Sequence, residues 1–469
     1  MNSLINARLV LLIALFAVHG CARQQPFVAK LPPAPQRWQH PPTATAPIAP
    51  NWWTGFASSE LNQLVEQAQL NNYDLAAAVA RVEQAQATAR IAGAPLFAQL
   101  DGNLGASRNG RFDGSQEIDG NRYFTGVAAS YEVDLWGRLK AADESAWASL
   151  NASQYDRAAL HITLSASVVS SWLQYVGLQQ RLGIAQLNLS NAERVLGIVE
   201  SRQFAGAATY LELAQQRGIV AEQRRSLASL NQQRDDSRVI LAVLMGLTSS
   251  DTLTLTEQQL GNLQLPSINA GIPSQLLLQR PDLARAEAQL AAANADVNAA
   301  RAALLPRLNL SGAVDSNVGH ASDLLSNPIY SLSAALLAPI FDGGLLSAQH
   351  DLAKARRSEL LANYRANIVN AFAEVQQALN ALAGLEAQLQ AQSQVEQQAI
   401  LALRLSEERY RAGAETLLTL LDTQRTLYTA QDDTVQLQLA HLQAGASLSR
   451  ALGGGWQQHA QQLSATDSR

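Results

Sequence analysis

Two periods, two and seven, organise the apolar residues of this chain. Period two occurs in four short stretches. Leu96, Ala98, Leu100, Gly102 and Leu104 alternate with Phe97, Gln99, Asp101, Asn103 and Gly105. Tyr123, Thr125, Val127, Ala129, Tyr131 and Val133 alternate with Gly126, Ala128, Ser130, Glu132 and Asp134. Leu308, Leu310, Gly312 and Val314 stand against Asn309, Ser311 and Asp315, and Tyr330, Leu332, Ala334 and Leu336 against Ser331 and Ser333. The pattern predicts strands at about 96–106, 123–134, 308–316 and 329–340. Their length and alternation suit transmembrane β-strands, although each pair read alone also fits a hairpin with one face on a soluble core.

Period seven marks helices. Residues 138–204 and 343–411 contain no proline, so each predicts a helix of about 100 Å at ~1.5 Å per residue. In the second, Leu361, Ile368, Val375, Leu382 and Leu389 recur every seventh position, and Tyr364, Ala371, Ala378 and Leu385 follow three behind, completing an a/d seam. The helix after it carries two adjacent ladders: Leu421, Tyr428, Val435 and Leu442 beside Leu420, Leu427 and Leu448. A helix on a globular core needs one apolar stripe. Two stripes suit a helix with a neighbour on each side, as in a cylinder. Shorter helices at about 58–93 and 210–246, stacked end to end, match the first rod, and 274–304 with 415–452 match the second.

The order of elements occurs twice. Phe204-Ala205-Gly206-Ala207-Ala208-Thr209 echoes Arg411-Ala412-Gly413-Ala414-Glu415-Thr416, and Met245-Gly246 echoes Leu452-Gly453 at the same offset. A constant offset over such a distance implies two copies of one unit, here 51–265 and 266–456, followed by a tail at 457–469. Ahead of them, Arg8 and the apolar run 9–18 predict a signal peptide over 1–20, too short to remain as a spanning helix. Gly20-Cys21 ends a lipobox-like sequence, and Cys21 is the only cysteine. It cannot form an internal disulfide, so its expected role is to carry a covalent lipid. Residues 21–50 are proline-rich and predict an extended tether.

Composition removes other classes. Charged residues are 16 % of the chain and the net charge is −5, which gives no argument for nucleic acid. No lysine follows a glycine in a phosphate loop, one cysteine cannot build a zinc cluster, and the histidines are scattered. Neither an enzyme, a metal site nor a bound cofactor is expected.

The stretch Leu265-Pro266-Ser267 through Ile272-Pro273-Ser274-Gln275-Leu276-Leu277-Leu278-Gln279-Arg280-Pro281-Asp282-Leu283-Ala284 resembles the inter-repeat signature of TolC-type outer-membrane efflux channels, in their NodT-like lipoprotein branch. Tyr131-Glu132-Val133-Asp134-Leu135-Trp136-Gly137-Arg138, Pro339-Ile340-Phe341-Asp342-Gly343-Gly344, Leu420-Leu421-Asp422-Thr423-Gln424-Arg425 and Leu452-Gly453-Gly454-Gly455-Trp456 are similar as well. The resemblance implies an α+β membrane protein. Three chains would form a 12-stranded transmembrane barrel, four strands each, continuous with a periplasmic α-helical barrel. Strand arithmetic points the same way, because four strands cannot close and eight leave an interior filled by side chains.

The resemblance also implies an outer-membrane homotrimer that works with a periplasmic adaptor and an inner-membrane pump as a passive exit duct for small toxic compounds or antibiotics. Protein or metal-ion export by the same architecture is the alternative. A periplasmic adaptor lipoprotein is the alternative from another class, but adaptors carry one hairpin with globular β domains. Leu418, Asp422 and Arg425 match positions that line the constricted periplasmic end in that family. In a trimer each becomes a ring, and Arg425 can supply hydrogen bonds to the aspartates. Gly206 and Gly413 lie at the hairpin tips, where the resemblance implies adaptor docking.

Overall fold

The computed structural model describes residues 30–40, 48–109 and 120–456. The signal peptide, Cys21, most of the tether and the tail lie outside these residues. Contacts divide the chain after Pro32, and every helix and strand named below belongs to the unit from Pro33 onward.

Helices α1 (Ser59–Asn71) and α2 (Tyr73–Gly93) lead into strands β1 (Gln99–Asn109) and β2 (Gly120–Val133). Then come α3 (Arg138–Phe204) and α4 (Tyr210–Leu244). The second copy comprises α5 (Pro281–Ala302), β3 (Arg307–Val318), β4 (Ile329–Leu337), α6 (Leu345–Arg411) and α7 (Leu417–Ala451).

Several bounds differ from the sequence pattern, each for a local reason. The first strand begins three residues late because Pro95 seeds a 3-10 turn over Ala94–Leu96. The fourth ends at Leu337, ahead of Pro339, which has no N–H for the ladder. The expected helix at 58–93 breaks at Asn72, which is extended (ψ 125°) and caps α2 by accepting from Leu75 N. The second long helix starts at Leu345 instead of 343, since Gly343 and Gly344 hold left-handed φ values of 67° and 89°. Both rods start under an aspartate. Asp134 accepts from Leu139 N and Lys140 N, and Asp342 from Gly344 N and Leu346 N. The chain thereby turns from strand into helix within a few residues.

The sheet is antiparallel in the order β1-β2-β3-β4, leaving β1 and β4 as edges. Its register puts Leu100, Ala129, Gly312 and Leu332 in one row and Val127, Val314 and Tyr330 in the next. That face is apolar and exposed, with Leu332 82 % accessible. The opposite face carries Asp101, Asn103, Asn309, Ser311 and Asp315, and Ser311 Oγ meets Ser333 Oγ at 2.6 Å. A sheet apolar on one side and polar on the other fits lipid outside and water inside. Among the described residues no helix is long and apolar enough to cross a membrane.

Below the sheet the helices form a wall. Near the sheet α3 packs on α2 and α5, and α5 on α6; farther away α3 packs on α4 and α7, and α7 on α6. The wall order is therefore α2/α4, α3, α5/α7, α6. The short helices meet end to end at two joints. Asn72 Nδ2 donates to Leu244 O (3.0 Å), and the buried Arg280 donates to Ala451 O (3.1 Å) while pairing with Asp282 and Glu374. At the waist, Trp52, Trp53, Phe56 and the fully buried Trp172 form an apolar core with α1, α3, α4 and α7. The seam of α6 is buried at Tyr364, Ile368, Ala371, Val375 and Ala378, and both ladders of α7 are buried throughout.

Candidate functional site

The two helical hairpins end far from the sheet in tips built by one local rule. Gly206 (φ 75°) and Gly413 (φ 77°) adopt the left-handed conformation that ends a helix cheaply only at glycine. Ala207 N donates to Arg202 O (2.7 Å) and Gly206 N to Gln203 O (3.0 Å). In the second tip Ala414 N donates to Arg409 O (2.9 Å) and Gly413 N to Tyr410 O (3.0 Å). Thr209 and Thr416 then cap the returning helices, Thr209 in a capping box with Glu212. The glycines are open to solvent, as are Phe204, Tyr210 and Leu211 beside the first.

Leu418, Asp422 and Arg425 follow the second tip on one exposed face of α7, and Leu418 is 71 % accessible. The structure brings them together in spacing but not in bonding: among the described residues no hydrogen bond or ion pair joins Asp422 to Arg425. The Arg425 charge acts on α4. There a hydrogen bond from Arg225, with the Arg425 charge as a smaller contribution, holds the Glu222 carboxyl below its ordinary value.

Sequence reasoning missed the residues that join the two hairpins. Arg194 on α3 forms an ion pair with Glu407 on α6, which also receives Arg411 at 2.6 Å. Burial alone would raise the Glu407 carboxyl, but hydrogen bonds and charge from these two arginines hold it low. Arg202 Nη1 donates to Tyr410 O at 2.5 Å, and its guanidinium lies 4.6 Å from the Tyr410 ring centroid. Higher up, Arg181 grips Asp432 through two bonds of 2.6 and 3.0 Å. The usable signal was charge of opposite sign at seam-adjacent positions of α3, α6 and α7. Gln424 is fully buried, and neither of its amide atoms has a protein partner. Burial, aided by Glu407, pushes the nearby Tyr428 phenol up to about 12. A cleft of about 510 Å³ between the tips is walled by Arg194, Arg202 and Arg411 over Gly197 and Ser201. Among the described residues no cluster of His, Cys, Asp and Glu has the geometry of a metal site. Among the described residues the arrangement offers mechanical contacts between the hairpins, charged side chains on the exposed face of α7 and open tips.

A profile of the outer membrane efflux protein family matches residues 64–247 and 272–454. The chain is 48 % identical over 445 residues to the pyoverdine export outer membrane protein OpmQ of Pseudomonas aeruginosa, covering 92 % of this chain and 94 % of the relative. It is 31 % identical over 451 residues to the cation efflux system protein CusC of Escherichia coli, covering 94 % and 97 %. A crystal structure of CusC superposes with a TM-score of 0.82 at 30 % identity, covering 93 % of this chain and all of that one.

Proposed function

The chain belongs to the outer membrane efflux protein family, and from that premise we propose that three copies close head to tail into one duct. It is an outer-membrane efflux component with a large periplasmic part, a transport protein and not an enzyme. The adaptor alternative falls with this membership. The observation that carries the trimer is the continuity of its open edges. β4 and α6 form one edge of the protomer, β1 with α2/α4 the other, so one copy supplies what the next lacks at every level. Such a heterologous contact closes into a ring when the rotation allows. Twelve strands then enclose a polar lumen, since the Asp101 and Asp315 face turns inward.

Leu418, Asp422 and Arg425 would form three stacked rings at the narrow end, with the Asp422 carboxylates bonded by Arg425 of neighbouring copies. The tips at Gly206 and Gly413, with the arginine-walled cleft between them, would receive a periplasmic adaptor that connects to an inner-membrane pump. A covalent lipid on Cys21 would add an outer-membrane anchor. The cargo we favour is small organic compounds, toxic compounds and antibiotics among them; the relationship to a pyoverdine exporter supports this. Two methionines and one cysteine cannot line a thioether or thiolate path for soft cations, which weighs against metal export. Mass measurement in detergent tests the assembly: a stable trimer is expected, and a fully folded monomer would sink the proposal, because its strand edges would be unprotected.

A further inference from the structure

The upper wall holds a recess that none of the features above uses. It lies where α3, α5 and α6 meet and has a volume of about 450 Å³. Its floor is made of alanines. Ala152, Ala292 and Ala293 are all buried there, and their small side chains leave room for a flat apolar body.

The charged groups of the recess fall into two sets. At its lower end Arg285 Nη1 donates to Asp156 Oδ1 at 2.5 Å, an ion pair that ties α5 to α3. The buried Nε of Arg285 has no protein partner. At the upper end stand Arg356 on α6 and Asp296 on α5. A bond from Arg357 Nη1 to Asn294 Oδ1 (3.1 Å) fixes the register of these two helices, so Arg356 and Asp296 line the recess at one height. Neither makes a hydrogen bond or ion pair among the described residues. An unbonded cation and an unbonded anion over an apolar floor are complementary to a ligand that carries both charges.

The register of α3 shows which way the recess opens. Helix α1 loads one face of α3, where Gln69 Nε2 donates to Ser165 Oγ (3.0 Å) and Trp172 Nε1 to Glu60 Oε1 (2.7 Å). At ~3.6 residues per turn, Ser149, Ala152, Ser153 and Asp156 fall on the opposite face. In an open ring the face carrying α1 is the outer one, so each copy turns one recess toward the lumen.

We propose that this recess is a transit site for small amphoteric compounds of the amino-acid type. The carboxylate binds Arg356, the ammonium binds Asp296 and the apolar body lies over the alanines. Both bonds are charge-assisted, the stronger kind. A ligand with only one of the charges leaves the other side chain unsatisfied, which is how a polar site rejects close analogues. The site belongs to a single protomer; its opening to the lumen rests on the ring proposed above.

Equilibrium dialysis of the full-length protein in detergent tests it, with phenylalanine as the probe. Phenylalanine should bind at least five-fold better than 3-phenylpropionate, which lacks the ammonium, or phenethylammonium, which lacks the carboxylate. Arg356→Gln and Asp296→Asn should each weaken phenylalanine at least five-fold and flatten the preference over the two analogues. Ser149→Trp, on the exposed rim, should block the recess without touching either charge. No binding, equal binding of the three probes, or wild-type binding in both charge variants would overturn the site. In planar bilayers phenylalanine should add current noise to wild type and none to Arg356→Gln. Intact binding with unchanged noise would uphold the site and overturn its lumenal placement.

Discussion

Asp422 and Arg425 share a face of α7 without bonding to each other, and in the proposed trimer their partners would be sought on neighbouring copies. Asp422→Ala should raise single-channel conductance in planar bilayers and relieve block by divalent cations from the periplasmic side. Arg425→Ala should act in the same direction, and the double variant should fall short of the sum, because the two share one network. Wild-type conductance and block in Asp422→Ala would reduce the pair to surface charges. Glu407 makes a different case. Its carboxyl is held below the ordinary 4.5, so the stability it contributes is present above that value and lost as pH falls through the lowered one. Half-exposed Arg194 limits the pair to about 0.5–1 kcal/mol. Protease protection of the tips should accordingly decline on acidification, and Glu407→Gln should start lower at neutral pH and lose that acid step. An acid step of undiminished size in Glu407→Gln would assign it to other carboxylates.

At the level of elements, the tips and the strand-to-helix joints rest on backbone geometry more than on contacts. A Cβ at Gly413 would meet nothing within 4 Å, so Gly413→Ala isolates the left-handed conformation from any clash. Forcing alanine there costs about 1–2 kcal/mol. The expected result is faster proteolytic nicking near 412–415 and weaker adaptor capture, with the upper wall unaffected. Equal nicking would mean that the tip adopts another turn at no cost. Asp134 accepts two N–H groups at the start of α3. Asp134→Ala should lose about 1 kcal/mol and fray the joint beneath β2, read as faster exchange at Leu139 and Lys140.

For the whole molecule, two anchors of unequal strength are expected. A four-strand share of a barrel buries a far larger apolar surface than acyl chains at about 0.8 kcal/mol per CH₂. Cys21→Ser should abolish lipid labelling yet leave protein in the outer membrane. A mainly soluble periplasmic product would refute the spanning barrel.

Alternation of Leu100, Gly102 and Leu104 with Asp101 and Asn103 sufficed to assign the two faces of β1, because successive side chains of any strand point oppositely. Seven-residue spacing likewise sufficed for the stripe of α6 buried from Tyr364 to Ala378, though not for Leu382, Leu385 and Leu389, which stay partly open. Ala-Gly-Ala before threonine sufficed for both tips, since these are properties of a single stretch of backbone. Gln424 shows where such reasoning stops. It sits beside Asp422 and Arg425, and its spacing places it between the two buried ladders, unlike exposed Gln436, but periodicity does not say what its amide meets there. Its complete burial follows from α7 lying between α3 and α6, elements brought together from distant parts of the chain. The Arg181–Asp432 pair and the joints at Asn72 and Arg280 have the same origin. Local periodicity determined the elements and their faces. Only packing between remote segments decided which polar groups those faces would enclose.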